Sequence, residues 1–173
     1  MATTSIYFIP QVKFPTGQFK PTVEKVLGEL SIIEGYYDEE DESFAPGELL
    51  SFEYATIHDT DKDRLIPEAS SEGYGATCTN CAADIDDEFY DALNDFYDFE
   101  GEHMVEKDMK SITATCEKCK KVSKITDIQF KQPTAISNQY FQFVDLNTEV
   151  NNELIQTIAA KLGSQLTIVY EKM

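Results

Sequence analysis

Apolar positions along this chain alternate between runs with period two and stripes with period near 3.6, and the changes of rhythm mark its elements. Ile6–Ile9 is a short apolar run of β-formers halted at Pro10, which predicts a buried strand. From Thr22 onward Val23, Val26, Leu27, Leu30 and Ile33 recur at helical spacing, with Thr22 able to cap the start, Gly28 as a weak point and Gly35 able to end the helix. Tyr36–Glu42 is acidic and predicts no regular element, and Ala45-Pro46-Gly47 predicts a turn. A strand is expected over Phe52–His58, followed by a loop across Asp59–Gly75, which is rich in Asp, Ser, Pro and Gly.

The clearest amphipathic pattern comes next. Phe89, Leu93, Phe96 and Tyr97 share one face of a predicted helix, with Asp87, Asp91, Asp95 and Asp98 opposite, and Asp84 or Asp86 can cap it. Beyond Gly101 there are β-rich runs at Ser111–Thr115, Ile125–Phe130 and Tyr140–Leu146. Asn147 can cap a helix with the stripe Val150, Leu154, Ile155, Ile158, Ala159 and Leu162, ended by Gly163. A last strand, Gln165–Glu171, alternates Leu166, Ile168 and Tyr170 with Thr167 and Val169. The order strand, helix, strands, helix, strand predicts an α+β protein with a mostly antiparallel sheet and about three helices.

At 173 residues the chain suits a single domain, residues 1–173, carrying a zinc-ribbon-like excursion over 76–124. A hydrophobic fraction of 42% argues for a folded protein despite a net charge of −18. That charge is regional. Residues 34–108 hold 24 acids against Lys62, Arg64 and Lys107, a net of −21, while the remainder is slightly basic. A field of this sign repels phosphate backbones and anionic lipid, so direct nucleic-acid or membrane binding is not expected, whereas a basic protein partner would be drawn in. Solubility alone is the plainer account of the same charge.

Met1–Pro10 has no basic leading segment and no stretch approaches ~20 apolar residues, so neither a secretory signal nor a membrane span is expected and the cytoplasm is the expected compartment. Cysteines there stay reduced, and paired CxxC units point to metal rather than disulfides. All four cysteines fall in such pairs: Cys78-Thr79-Asn80-Cys81 and Cys116-Glu117-Lys118-Cys119, 34 residues apart. Two CxxC turns supply four thiolates to a tetrahedral ion, so one structural zinc is predicted, its knuckles flanking the acidic helix as an insertion. An iron site of rubredoxin type, a redox pair and free thiols are the alternatives. Ala82 and Lys120 stand where compact knuckles often carry Gly, and Lys118, Lys120, Lys121 and Lys124 can offset a tetrathiolate's charge.

Other signals are weaker. Asp59, Asp61 and Asp63 match the first half of a calcium loop, but Arg64 stands where its Gly belongs and Ser70 where its closing Glu belongs. His58 and His103 lie in no catalytic spacing, and there is no phosphate loop, nucleophile elbow or deaminase motif. Tyr36, Tyr37 and Phe44, then Tyr90, Phe96, Tyr97 and Phe99, are set among acids, a mixture that suits either core or a surface docking a basic partner.

The two CxxC units, Gln129-Phe130, Tyr140-Phe141-Gln142-Phe143, Lys161-Leu162-Gly163 and Leu166–Tyr170 together resemble small uncharacterised bacterial proteins with an internal zinc ribbon, over about the last hundred residues. The resemblance implies the four metal cysteines and does not say what activity, if any, goes with them. The function expected is therefore a non-enzymatic zinc-binding protein whose acidic face, including Asp87, Asp91, Asp95 and Asp98, meets a basic protein partner, an immunity-type inhibitor being one form of it. A nucleic-acid-associated zinc ribbon and an enzyme in which His58 or His103 meets carboxylates are the alternatives.

Overall fold

The computed structural model describes residues 4–67, 72–97 and 108–172. The expected class holds: among the described residues three α-helices and a mostly antiparallel sheet make an α+β protein. The chain divides into two compact units, Met1–Asp61 with Ser137–Met173, and Lys62–Ile136. Where the sequence suggested one unit with an excursion over 76–124, the second compact unit therefore spans 62–136, and each unit has a core of its own.

The first unit is built on the sheet. Its strands are β1 (Thr4–Pro10), β2 (Ile33–Asp38), β3 (Ser43–Pro46), β4 (Tyr54–Ile66), which runs on past Asp61, β9 (Ala135–Val144), which begins just before Ser137, and β10 (Leu166–Lys172). Their order is β10-β1-β9-β4-β3-β2. β1 and β10 pair without a break from Thr4 opposite Lys172 to Pro10 opposite Leu166. The bond from the Gln11 N–H to the Gln165 carbonyl, 2.8 Å, fixes which residues of that pair exchange hydrogen bonds. Pro10 falls on the other parity, so its missing N–H costs the β1–β10 ladder nothing.

Helix α1 (Phe19–Glu29) and helix α3 (Asn152–Leu162) supply the other half of this core. Phe8 stacks on Phe141 with centroids 4.7 Å apart, Phe52 stacks on Phe143 at 4.8 Å, and Phe19, Val23, Leu27, Ile158 and Leu162 join the same cluster. The alternation of β1 puts Ile6 and Phe8 on this face and Tyr7 on the other, beside Tyr140.

Several boundaries differ from expectation for identifiable reasons. α1 begins at Phe19 and takes in Pro21, because a first-turn residue has no intrahelical partner for its N–H to lose; Thr22, expected as the cap, sits inside and gives its hydroxyl to the Gln18 carbonyl. The helix ends before Ile33, which opens β2, and the acidic run expected to lack structure forms the β2–β3 hairpin. α3 is capped by Asn151, whose side chain accepts from the Leu154 N–H at 2.9 Å, instead of Asn147, and it does end at Gly163 in the left-handed conformation, φ 72°.

The expected loop after His58 is instead the second half of β4, so Asp59, Asp61 and Asp63 lie at alternate positions of an extended strand and cannot wrap an ion as a calcium loop does. Ser70 lies outside the described residues.

The second unit holds β5 (Ala76–Thr77), helix α2 (Asp86–Tyr97), a 3₁₀ turn at Met109–Ser111, β6 (Thr113–Thr115), β7 (Val122–Lys124) and β8 (Gln129–Phe130). β5 pairs with β8, and β6 pairs with β7. Phe89 and Leu93 face inward from α2 as predicted, joining Tyr74, Ile85, Ile112, Ile125 and the cysteines, while Phe96 and Tyr97 are partly buried. Among the described residues no helix is long and apolar enough to cross a membrane.

Candidate metal centre

The two cysteine pairs sit on turns of the same design. Cys78 follows β5 and Cys116 follows β6, so each knuckle springs from a strand end. In the first, the Ala82 N–H donates to the Cys78 carbonyl at 2.9 Å and the Cys78 N–H donates to the Ala83 carbonyl at 2.8 Å. In the second, Lys120 donates to Cys116 at 2.8 Å and Cys116 donates to Lys121 at 2.9 Å. Both turns pass through the left-handed region just after their second cysteine, at Ala82 (φ 56°) and Lys120 (φ 60°). The positions where the sequence shows Ala and Lys in place of Gly are therefore those where the backbone bears a Cβ penalty.

These turns bring four sulfurs together across 34 intervening residues. Cys78 Sγ is 3.6 Å from Cys119 Sγ, Cys81 Sγ is 3.7 Å from Cys116 Sγ, and all four lie within 4.8 Å of one another. None is joined to another as a disulfide. Zn–S bonds of about 2.3 Å in a regular tetrahedron set the sulfurs about 3.8 Å apart, so the donor set fits a four-coordinate thiophilic ion in both type and spacing. Cys78 and Cys116 are buried, while Cys81 and Cys119 are half-buried. The four cysteines could hold one metal ion.

Hydrogen bonds prepare the sulfurs unequally. The backbone N–H of Lys121, then the Asn80 side chain, favour the Cys119 thiolate and lower its pKa to about 6. The Ala83 N–H favours the Cys81 thiolate too, yet burial and the three other thiols outweigh it and push that group up to about 11. Four thiolates cannot all ionise in one small volume without a cation, so a metal entering the site must displace protons. The Asn80 N–H also points at Cys78 Sγ, 3.4 Å away.

Helix α2 is tied to both knuckles. Asp86 accepts from the Tyr74 N–H at 3.1 Å and the Ala76 N–H at 2.9 Å, bracing the strand that leads into the first pair. Asp84, expected as a cap, takes the Asp86 N–H at 2.9 Å. Glu88 accepts the Glu117 N–H at 3.3 Å, inside the second CxxC turn. Sequence reasoning saw only a capping role for Asp86; that its carboxylate reaches back ten residues has no signal in the local pattern.

Of the predicted acidic face, Asp87, Asp91 and Asp95 are exposed on α2, and Asp98 lies outside the described residues. Asp91, Asp95 and Glu88 share an open groove of about 560 Å³ with Phe96, Ile112 and Lys120, so one lysine of the second knuckle does lie among the helix acids. In the first unit Tyr36 and Tyr37 are exposed, the former stacked on Phe44 at 5.2 Å and the latter on Tyr54 at 5.4 Å. His58 is half-buried, stacked on Tyr140 at 4.4 Å with Nε2 3.0 Å from the Thr56 hydroxyl; His103 lies outside the described residues.

No family model matches the chain, and no curated protein or solved structure matches it either.

Proposed function

We propose that this chain is a non-enzymatic binding protein in which one zinc ion held by Cys78, Cys81, Cys116 and Cys119 stabilises the second unit, and whose acidic surface engages a basic protein partner. The observation that carries the first half is the convergence of four sulfurs within 4.8 Å from two knuckles of matching hydrogen-bond pattern. Zinc suits this set because it is tetrahedral without preference from d-electrons and tolerates a full thiolate shell. When bound it serves as a cross-link: all four positions are filled by protein, leaving none for a water to be activated or a substrate to be polarised.

Support for the second half is electrostatic. Residues 34–108 carry the net −21, and Asp87, Asp91 and Asp95 stand exposed in a row on α2, a field that would accelerate encounter with a basic surface and weaken with salt. The immunity-type inhibitor is one concrete form of such a protein. Capture of a basic protein by the zinc-loaded chain, lost at high salt and lost again in the triple variant D87N/D91N/D95N, is the expected result. Capture that ignores both changes would remove the acidic-face reading and leave the metal reading standing.

A further inference from the structure

The six-stranded sheet has two outer strands, and they are built differently. β2 is irregular: its register with β3 shifts between Ile33 and Tyr36 and again between Tyr36 and Asp38, Gly35 is left-handed at φ 65°, and Glu34 and Asp38 flank the exposed tyrosines. Bulges and charges are the devices by which proteins blunt a sheet edge against pairing. β10 has neither. It runs seven residues in unbroken register with β1, contains no Gly or Pro, reads Leu-Thr-Ile-Val-Tyr before its only charges, and ends with one acid and one base, Glu171 and Lys172.

The direction of its hydrogen bonds can be read from one neighbour. Gln11 and Gln165 stand directly opposite and exchange a bond, so by alternation Thr167, Val169 and Glu171 bond inward to β1, while Leu166, Ile168 and Tyr170 turn their N–H and carbonyl groups away from it. Tyr170 is 47% exposed on this edge.

We infer that β10 is a homodimer edge, pairing antiparallel with β10 of a second copy about a two-fold axis at Val169. Outward groups can bond only with outward groups, which restricts the axis to a residue and excludes one lying between residues. With Val169 opposite itself, Ile168 stands opposite Tyr170 of the second copy, and these two pairs form four bonds at the centre. The same register sets Thr167 opposite Glu171 and Leu166 opposite Lys172, so no like charges meet. Each exposed Tyr170 ring then covers the half-buried Ile168 of its mate.

Charge selects a second copy over a basic partner at this edge. The acids of the β2–β3 hairpin lie five strand positions away in the sheet, about 24 Å at ~4.8 Å per strand, which is several screening lengths of about 8 Å at physiological salt. β10 itself carries no net charge with which to draw a cation-rich strand.

Amide hydrogen exchange of the zinc-loaded chain, followed by NMR across a dilution series beside a solution mass measurement, tests this. The expected mass at the concentrated end is twice 19.6 kDa, with the Ile168 and Tyr170 amides protected there and losing protection together with the mass on dilution. Val169 and Glu171, bonded to β1, stay protected throughout. Y170P removes an outward donor and should give a folded monomer, its Val169 amide protected as in the parent. A monomer at every concentration, a dimer in which Ile168 and Tyr170 exchange freely, or protection of these amides only when another protein is added would each overturn the proposal.

Discussion

The two units are held together by different means. In the first, a sheet of six strands carries two helices, and the core is continuous from Phe8 and Phe141 through Phe143 and Phe52 to Phe19, Leu27 and Ile158. In the second, apart from the ends of β4 and β9 that reach into it, the described strands are two or three residues long and paired into separate two-stranded ribbons, with α2 packed against β5 and β6. Isolated ribbons of this length are marginal in water, since few cross-strand contacts repay the chain entropy they fix. β5–β8 and β6–β7 meet through the core around Phe89, Leu93 and Ile125 and at the four sulfurs, with lesser links such as Thr79 to Ser123 at 3.5 Å. On the proposed metal reading, burial suffices where elements are long, and a cross-link takes over where they are short.

The largest effect should separate the units. On the proposed function, chelation removes the metal and C78S one of its ligands; since binding at a structural zinc site is folding free energy of roughly 10 kcal/mol, a loss of several kcal/mol is expected. Hydrogen exchange should show protection vanishing over 62–136 while Ile6, Phe8 and Phe141 keep theirs. Equal loss in both regions would erase the contrast. Acid works the same way: Cys81 holds its proton up to about pH 11, so metal uptake at neutral pH expels that proton and affinity falls as pH falls. The fall steepens below about pH 6, where Cys119 also takes one up. A metal titration at pH 8, 7 and 6 with no weakening would contradict this.

F8A is the converse perturbation. It empties a fully buried stacked position and should cost about 3–5 kcal/mol in denaturant unfolding, with the affinity for metal unchanged. A smaller loss is expected from D86A, which strands the Tyr74 and Ala76 N–H groups. About 2 kcal/mol, confined to the second unit and seen in the metal-loaded state, is the expected size. Smallest, and opposite in sign, is K120G. A left-handed residue relieved of its Cβ should gain about 1 kcal/mol, read as a raised melting temperature of the metal-loaded chain.

The parts legible in the sequence were those governed by local periodicity or by residue chemistry. The stripe Phe89, Leu93, Phe96, Tyr97 gave α2, the stripe from Leu154 to Leu162 gave α3, and the cysteine spacing gave the four residues that the fold draws together. Tertiary context decided the rest. β2 is an edge strand whose side chains past Ile33 are exposed, so no alternation marked it, and β4 continues through Asp59–Arg64 because Asp61 is exposed while Asp59 and Asp63 meet Gln139 and Lys110. Pro21 reads as a breaker until its place in a first turn is known. The limits of the second unit could not be read because its core draws on Leu65 and Ile128, outside the cysteine motif.

X-ray absorption at the zinc edge, combined with elemental analysis of chain purified without added metal, bears most directly on the cross-link. One zinc per chain, surrounded by four sulfurs at about 2.3 Å, is the predicted result. A folded chain with no metal, or a shell in which nitrogen or oxygen replaces any of the sulfurs, would contradict it.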